Sequence, residues 1–519
     1  MSRMLKSSGG IGVATMVSRV LGLAREQVYA AFMGTTPVAG AFVYAFTAPN
    51  LFRRLLGEGA LTAAFIPIFK AKEKNDGEAA MWRAANAVIS ALVAAAGAVT
   101  IGVMLILTVM LQFKGWTQET RLMLDLMRCM FPYMLLACVA AVFIGICNAR
   151  GHFFIPALGA ALLNVVMIAS VLFLAPRMGR ELSQQVFALA IGVIVAGIVQ
   201  AAFQWPILRK EGFHFEWISP WSDPVVREVI VKMIPSSIGV AAFQINVLLT
   251  QGLAFGENAP IVAVFQYAVR LMELPQGVVG ISLATFLLPT LSGLAVSKEY
   301  GKFRATLSEG VTYLIFINLL ASVLLFTLAE PIVRLLFERR AFHAADTQRV
   351  AFALMCLVPG LISFSLVNIL ARAFYALEDV KTPAKISIFA LTVNFFITAF
   401  LLFGLKLGAG ALGIANSISS FINLALLTFA LRKKLKRLEM TSCLTQLPSL
   451  AGAGVAAAAV AWFGHKLLAG QFGHATLALK AGEVFVPMAA AGAVYFGVTL
   501  WLKVPAAYEM LALVKKKVK

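Results

Sequence analysis

The chain has 519 residues, 60% of them hydrophobic and only 13% charged, with a mean hydropathy of +0.87. A soluble domain carries about 25% charged residues, so the composition excludes one and describes a polytopic membrane protein; its apolar runs are helix length, not the alternating segments of a barrel, which makes it all-α. The formal net charge of +20 would point to nucleic acid in a soluble protein, but basic loops that hold a membrane topology account for it, and no basic run joins a polar folding unit that would grip nucleic acid.

Fourteen hydrophobic segments of about 20 residues or more follow one another. The first, 9–33, carries Arg19, Arg25 and Glu26 inside its apolar run. Arg19 and Glu26, seven apart, share a helix face, and Gly22 between them permits a bend or a close backbone approach. The second, 38–69, contains Pro49, then Arg53 and Arg54, then Glu58. Arg54 and Glu58 are four apart and are spaced to pair on one helix. A guanidinium near the bilayer centre costs roughly 2.5–3.5 kcal/mol on insertion scales and does not shed its charge. Such arginines face a partner, a water-filled cavity or the interface; several in one hairpin suggest a cavity for something anionic.

Segments three to six span 84–112, 124–148, 153–175 and 185–208, and the longest polar link, 209–226, follows them. Asp125 and Arg128 read as an interfacial pair. Segments seven to twelve span 227–254, 259–292, 305–337, 350–376, 383–404 and 408–431. The eighth holds Arg270 and Glu273, three apart on one helix just before Pro275. Asn148, Asn164, Asn246 and Asn394 are expected in interhelical hydrogen bonds. The thirteenth and fourteenth, 446–466 and 482–502, precede a basic tail ending Lys515, Lys516, Lys517, Lys519. Loop lysines and arginines favour one side of this arrangement, which places both termini in the cytoplasm.

The first twelve segments divide into two related sixes. Pro132 and Pro156 flank the fourth and fifth segments, Pro359 and Pro383 the tenth and eleventh, each pair 24 residues apart. ALTAAFIP (60–67) ends the second segment and SLATFLLP (282–289) the eighth, so the halves are offset by 222 to 227 residues. Six is even, so the halves enter the membrane in the same sense: a parallel repeat with a pseudo-twofold axis along the membrane normal. The expected organisation is an N-terminal lobe at 1–208, a cytoplasmic linker at 209–226, a C-terminal lobe at 227–437, and two extra helices with the tail at 438–519.

Catalytic signatures are missing from the sequence. It has no phosphate-cradling P-loop, its five histidines (His152, His214, His343, His465, His474) lack metalloprotease spacing, and no Ser-His-Asp set can be assembled. Cys129, Cys138, Cys147, Cys356 and Cys443 have no metal-ligand spacing and read as small core residues. The start, MSRMLKSSGG, does not read as a cleavable signal peptide. The expectation is a transporter and not an enzyme, without cofactor or bound metal. The residues themselves leave open a drug or cation antiporter, which would use cavity carboxylates, and a scaffold, which would need no intramembrane arginines.

SRVLGLARE (18–26), PNLFRRLLGEGALTAAFIPIF (49–69) and RLMELPQGVVGISLATFLLPTLS (270–292) closely resemble the bacterial lipid II flippase MurJ (MviN) family of the multidrug/oligosaccharidyl-lipid/polysaccharide exporter superfamily. The resemblance implies two six-helix lobes around a cationic cavity, a tail groove reaching segments thirteen and fourteen, and alternating-access export of lipid II across the bacterial inner membrane by a monomer in contact with membrane lipids. A flippase for another polyprenyl-pyrophosphate-linked glycan would share these features. By motif, substrate-binding roles fall on Arg19, Arg25, Arg53 and Arg270, and gating or ion-pair roles on Glu26, Arg54, Glu58 and Glu273. The chain departs from the family pattern at Gly40, Thr47 and Val269, where Asp, Lys and Asp are frequent. Asn246, Asn394 and Thr398 stand near positions where some members hold sodium with acidic residues, so no sodium site is expected.

Overall fold

The computed structural model describes residues 2–57, 60–221, 223–277 and 281–518, which are helical apart from turns and short links, with no strand among them. They fall into two compact units, Met1–Ala263 and Val264–Lys519. The first holds α1 (Ser2–Met33), α2 (Pro37–Phe52), α3 (Ala60–Asp76), α4 (Glu78–Gln112), α5 (Gln118–Met130), α6 (Tyr133–Ala149), α7 (Phe154–Ala169), α8 (Leu182–Gln185), α9 (Phe187–Lys210) and α10 (Pro224–Glu257). The helix α11 (Pro260–Pro275) carries the chain into the second unit. There follow α12 (Ile281–Val296), α13 (Tyr300–Thr327), α14 (Ala329–Phe337), α15 (Ala344–Leu357), α16 (Leu361–Ala376), α17 (Lys381–Ala399), α18 (Ala409–Leu435), α19 (Thr441–Phe472), α20 (Leu477–Trp501) and α21 (Pro505–Val518).

Eleven helical stretches among the described residues are long and apolar enough to cross a membrane. Of the fourteen expected segments, the first, second and eighth are not among these eleven. They are the ones that carry Arg19, Arg25 and Glu26, Arg53 and Arg54, and Arg270 and Glu273. The second and eighth are also interrupted by π turns, at Arg53–Gly57 and at residues 276–277. Pro49 stands one turn before the first of these, where its missing N–H loosens the regular ladder.

The breaks repeat at the spacing seen in the sequence. The expected fourth segment is two helices, α5 and α6, parted at Phe131 and Pro132. The tenth is α15 and α16, parted by the 3-10 turn Val358–Gly360 around Pro359. The fifth and eleventh both end in π turns, Ser170–Leu174 and Phe400–Gly404. Tight links depend on local chemistry: Gly34 has φ +56° between α1 and α2, and the Thr36 hydroxyl accepts from Ala39 N at 3.3 Å ahead of Pro37.

The link 209–226 is polar in composition but anchored in packing. Phe213 is fully buried, with its ring 5.5 Å from Trp82 and 5.8 Å from Trp205. Asn86 Nδ2 donates to His214 O at 2.9 Å, and Ile218 N donates to Ser90 Oγ at 3.1 Å. The next helix, α10, packs on α2, α3 and α4 in the first unit. Division by packing therefore falls after α10, while the repeat in the sequence restarts before it.

Each half of the sequence repeat carries an ion pair between the turn after its fourth segment and the end of its sixth. In the first unit Arg150 Nε donates to Glu211 Oε2 at 2.7 Å, and its two Nη groups reach Glu73 at 2.5 Å and Glu78 at 3.3 Å. His152 Nε2 lies 2.8 Å from Glu211 Oε1. In the second unit Lys434 Nζ donates to Asp379 Oδ2 at 2.8 Å. The polarity is reversed: the fourth-segment turn is basic in one unit and acidic in the other. In the second unit, α19 and α20 pair closely and α19 packs on α13, while the Tyr495 hydroxyl donates to Phe316 O at 2.8 Å.

Candidate functional site

In the first unit the site is built on α1. Arg25 Nη2 donates to Glu26 Oε1 at 2.6 Å, and its guanidinium lies 5.4 Å from the centre of the Tyr29 ring. Glu26 is 5% exposed, and only 15% of the Arg25 side chain is accessible. An arginine so placed cannot discard its charge, so the carboxylate and the ring face that carry it define its orientation. The Tyr29 ring is held by an edge contact with Phe42 of α2 at 5.8 Å. α1 packs along α7, and Asn164 Nδ2 donates to Ser18 O at 3.2 Å one turn before Gly22.

Arg53 opens the π turn, and its Nε donates to Asn50 Oδ1 at 2.9 Å. Arg54 follows in the same turn, half-buried. A π turn shifts the register of the residues after it by about a quarter-turn and is enriched at functional positions. Arg19 is exposed, so of the first segment's two arginines only Arg25 is enclosed. Glu58, expected to pair with Arg54, lies outside the described residues.

In the second unit Arg270 Nη1 donates to Glu273 Oε2 at 2.7 Å on α11. With the Gln266 amide turned to present its oxygen, that oxygen accepts from Arg270 Nε and Nη2, each at 3.1 Å. The guanidinium is thus aligned by residues one turn to either side, and 33% of its side chain stays accessible.

The departures at positions 40 and 47 form a seam between α2 and α10. A Cβ on Gly40 would run into the Ala259 carbonyl. Tyr44 stacks on Phe255 at 5.4 Å, and the Thr47 hydroxyl donates to Gln251 Oε1 at 2.7 Å. Small and neutral residues at this spacing bring the two backbones together without a charge.

The family model "Lipid II flippase MurJ" matches residues 29–481. The chain belongs to the lipid II flippase MurJ family. A MurJ relative from Vibrio cholerae, named a probable lipid II flippase, is 33% identical over 437 residues, covering 82% of both chains. The Lipid II flippase MurJ of Burkholderia cenocepacia is 33% identical over 429 residues, covering 81% of this chain and 82% of its own. A probable lipid II flippase from Rhizobium meliloti matches at 31% over 513 residues, 95% and 93% of the two chains. Among solved structures, "Lipid II flippase MurJ, inward closed conformation" superposes with a TM-score of 0.74 at 21% identity, covering 94% of this chain and 99% of that one. An inward-facing multidrug resistance MATE family transporter of the MOP superfamily gives 0.65 at 16%, covering 82% and 96%. At these identities the two structures speak to the fold alone.

Beyond the residues singled out by the MurJ motifs, Tyr29, Asn50 and Gln251 take part in the first unit and Gln266 in the second. Tyr29 and Gln266 lie four residues from Arg25 and Arg270, a spacing that marks neighbours on a helix. Asn50 lies three before Arg53, within reach on the same turn. Gln251 is 204 residues from Thr47, and no local signal joins them.

Proposed function

We propose that this chain is a flippase that moves lipid-linked peptidoglycan precursor, lipid II, from the inner to the outer leaflet of a bacterial cytoplasmic membrane by alternating access. Its membership of the MurJ family supports this, and the observation that carries it is the enclosed Arg25, held by Glu26 and Tyr29 inside the first segment. Arg25, Arg53, Arg19 and Arg270 are the residues proposed to take the pyrophosphate, through charge-assisted and bidentate bonds that a planar guanidinium makes well. Glu26 and Glu273 hold Arg25 and Arg270 when no anion is present. An arriving pyrophosphate competes for guanidinium protons already oriented, which lowers the ordering cost of binding. Arg54 and Glu58 are proposed as a gating pair.

Binding biases the conformational equilibrium only through its different strength in the inward and outward states. The protein is read as a monomer with both termini in the cytoplasm, where the basic loops place them. Complementation is the test: deplete the resident lipid II flippase of a bacterium, express this chain, and assay lipid II on the outer leaflet. Rescue by the parent and failure of Arg25→Ala at equal membrane level is the expected result. Failure of a well-expressed parent to bring lipid II outward overturns the substrate and turns attention to another polyprenyl-pyrophosphate-linked glycan.

A further inference from the structure

The second unit contains a cavity of about 440 Å³ apart from the arginine sites, where the start of α13, the start of α19 and the beginning of α21 meet. Its lining includes Ser308, Glu309 and Thr312 from α13, Glu439 and Gln446 beside and on α19, and Glu509 from α21. All three span ends lie on one membrane face, since α13 and α19 begin there and α20 ends there. The surrounding sequence is strongly basic: Lys298, Lys302 and Arg304 precede the cavity in α13, Arg432 to Arg437 lead to α19, and Lys503 precedes α21.

Against that background the cavity is acidic. Glu439 is engaged, accepting from Arg304 Nε at 3.0 Å with Arg437 Nη2 at 3.8 Å. Glu309 and Glu509 make no ion pair among the described residues, although they sit in a region rich in lysine and arginine. They come from different helices and line one cavity. The floor is polar and enclosed: Ser308 and Thr312 are 6% and 8% exposed. The Thr312 hydroxyl donates to Ser308 O at 2.9 Å, while the Ser308 hydroxyl itself makes no hydrogen bond among the described residues.

We propose that this cavity binds a primary ammonium group, with Glu309 and Glu509 as its anionic ligands and the Ser308 hydroxyl as a neutral acceptor. An ammonium carries three donors and no acceptor, which three oxygens satisfy, two of them on adjacent residues of α13 and the third on α21. Its position at the ends of membrane spans puts it at headgroup depth, so the ammonium of an aminophospholipid is one source and a free amine the other. The volume suits a headgroup or a small amine. This site is independent of the substrate arginines, and its outcome does not depend on what the chain transports.

The test compares the purified full chain in nanodiscs of phosphatidylcholine alone and of phosphatidylcholine with phosphatidylethanolamine, and in detergent with and without ethanolamine. Native mass spectrometry and thermal unfolding are the readouts. Phosphatidylethanolamine retained and stabilising beyond phosphatidylcholine, with apparent affinity reduced about tenfold by Glu309→Gln and again by Glu509→Gln, establishes the headgroup source; a net charged hydrogen bond is worth about 1.5–3 kcal/mol, or tenfold and more. Ethanolamine in detergent producing the same carboxylate-dependent shift establishes the free amine. Equal behaviour of the parent chain in both nanodiscs, together with no response to ethanolamine, overturns the proposal whether or not the variants fold. The Gln variants in phosphatidylcholine alone supply the folding control.

Discussion

A guanidinium kept in an apolar helix must be carried by something, and at Arg25 that is one carboxylate and one ring face. Lysine in its place retains the charge but has no planar fork to serve Glu26 and a phosphate together. Arg25→Lys should therefore reduce outer-leaflet lipid II about tenfold at unchanged membrane level, and parental flipping by this variant would argue that the site needs only a point charge. The seam between α2 and α10 makes a different prediction. Thr47→Val and Gln251→Leu should show a coupling of about 1 kcal/mol in a double-mutant cycle of unfolding, because their side chains meet at 2.7 Å. Gly40→Asp should destabilise by about 2–3 kcal/mol, since its Cβ meets the backbone of Ala259. The arginines could be read from the sequence because charge in an apolar run is conspicuous. Tyr29 stands at helix-neighbour spacing from Arg25, but its role was hidden, because an aromatic residue in a membrane helix looks like any other apolar one until its ring is seen beside a guanidinium.

Helices were legible where they are plain and less so where they are interrupted. Proline marked the breaks at Pro132 and Pro359, because a missing N–H is written in the residue itself. The π turns at Ser170–Leu174 and Phe400–Gly404 contain no proline or other local signal, and only the fold shows that they recur at equivalent places. Links between helices are where titration bears on stability. Burial alone would push the Asp379 carboxyl up, but the Lys434 ammonium and the Thr382 backbone and hydroxyl bonds hold it at about 2. A depressed acid stabilises the fold above its unfolded value near 4 and loses that contribution as pH falls toward 2. Lys434→Met should remove up to about 2 kcal/mol at neutral pH and flatten the acid limb between about pH 4 and 2, read as melting temperature against pH. Glu211 is lowered in the same direction, first by its bond to His152 and then by Arg150. Arg150→Ala, which leaves three carboxylates facing one another, should cost about 2–3 kcal/mol in the same assay.

For the whole protein the all-helical membrane class was legible in hydropathy, and eleven of the fourteen expected segments are stretches long and apolar enough to cross a membrane among the described residues, the other three being those with arginines in their apolar runs. The sequence placed the division of the chain at the polar link, where composition changes, and did not show that Phe213 fastens that link to the first unit. Energetics at this scale follow from charge. An inside-negative potential favours outward transfer of an anionic head group by about 2.3 kcal/mol per charge per 100 mV. Asn246, Asn394 and Thr398 provide no carboxylate for a sodium ion. Flipping in proteoliposomes should fall severalfold when an ionophore collapses the potential and stay unchanged when potassium replaces sodium; the opposite pattern would assign the coupling to the ion. The paired links with reversed polarity also bear on how the chain is made. Arg150 and Glu211 are 61 residues apart, so both have left the ribosome before Asp379 or Lys434 has been synthesised. Domains emerging N-terminal first fold as units, and the first clasp can close while no competing carboxylate from the later half yet exists. When Lys434 finally appears, Glu211 is already taken and Asp379 is the open partner, so the order of translation helps keep two duplicated halves from exchanging ends.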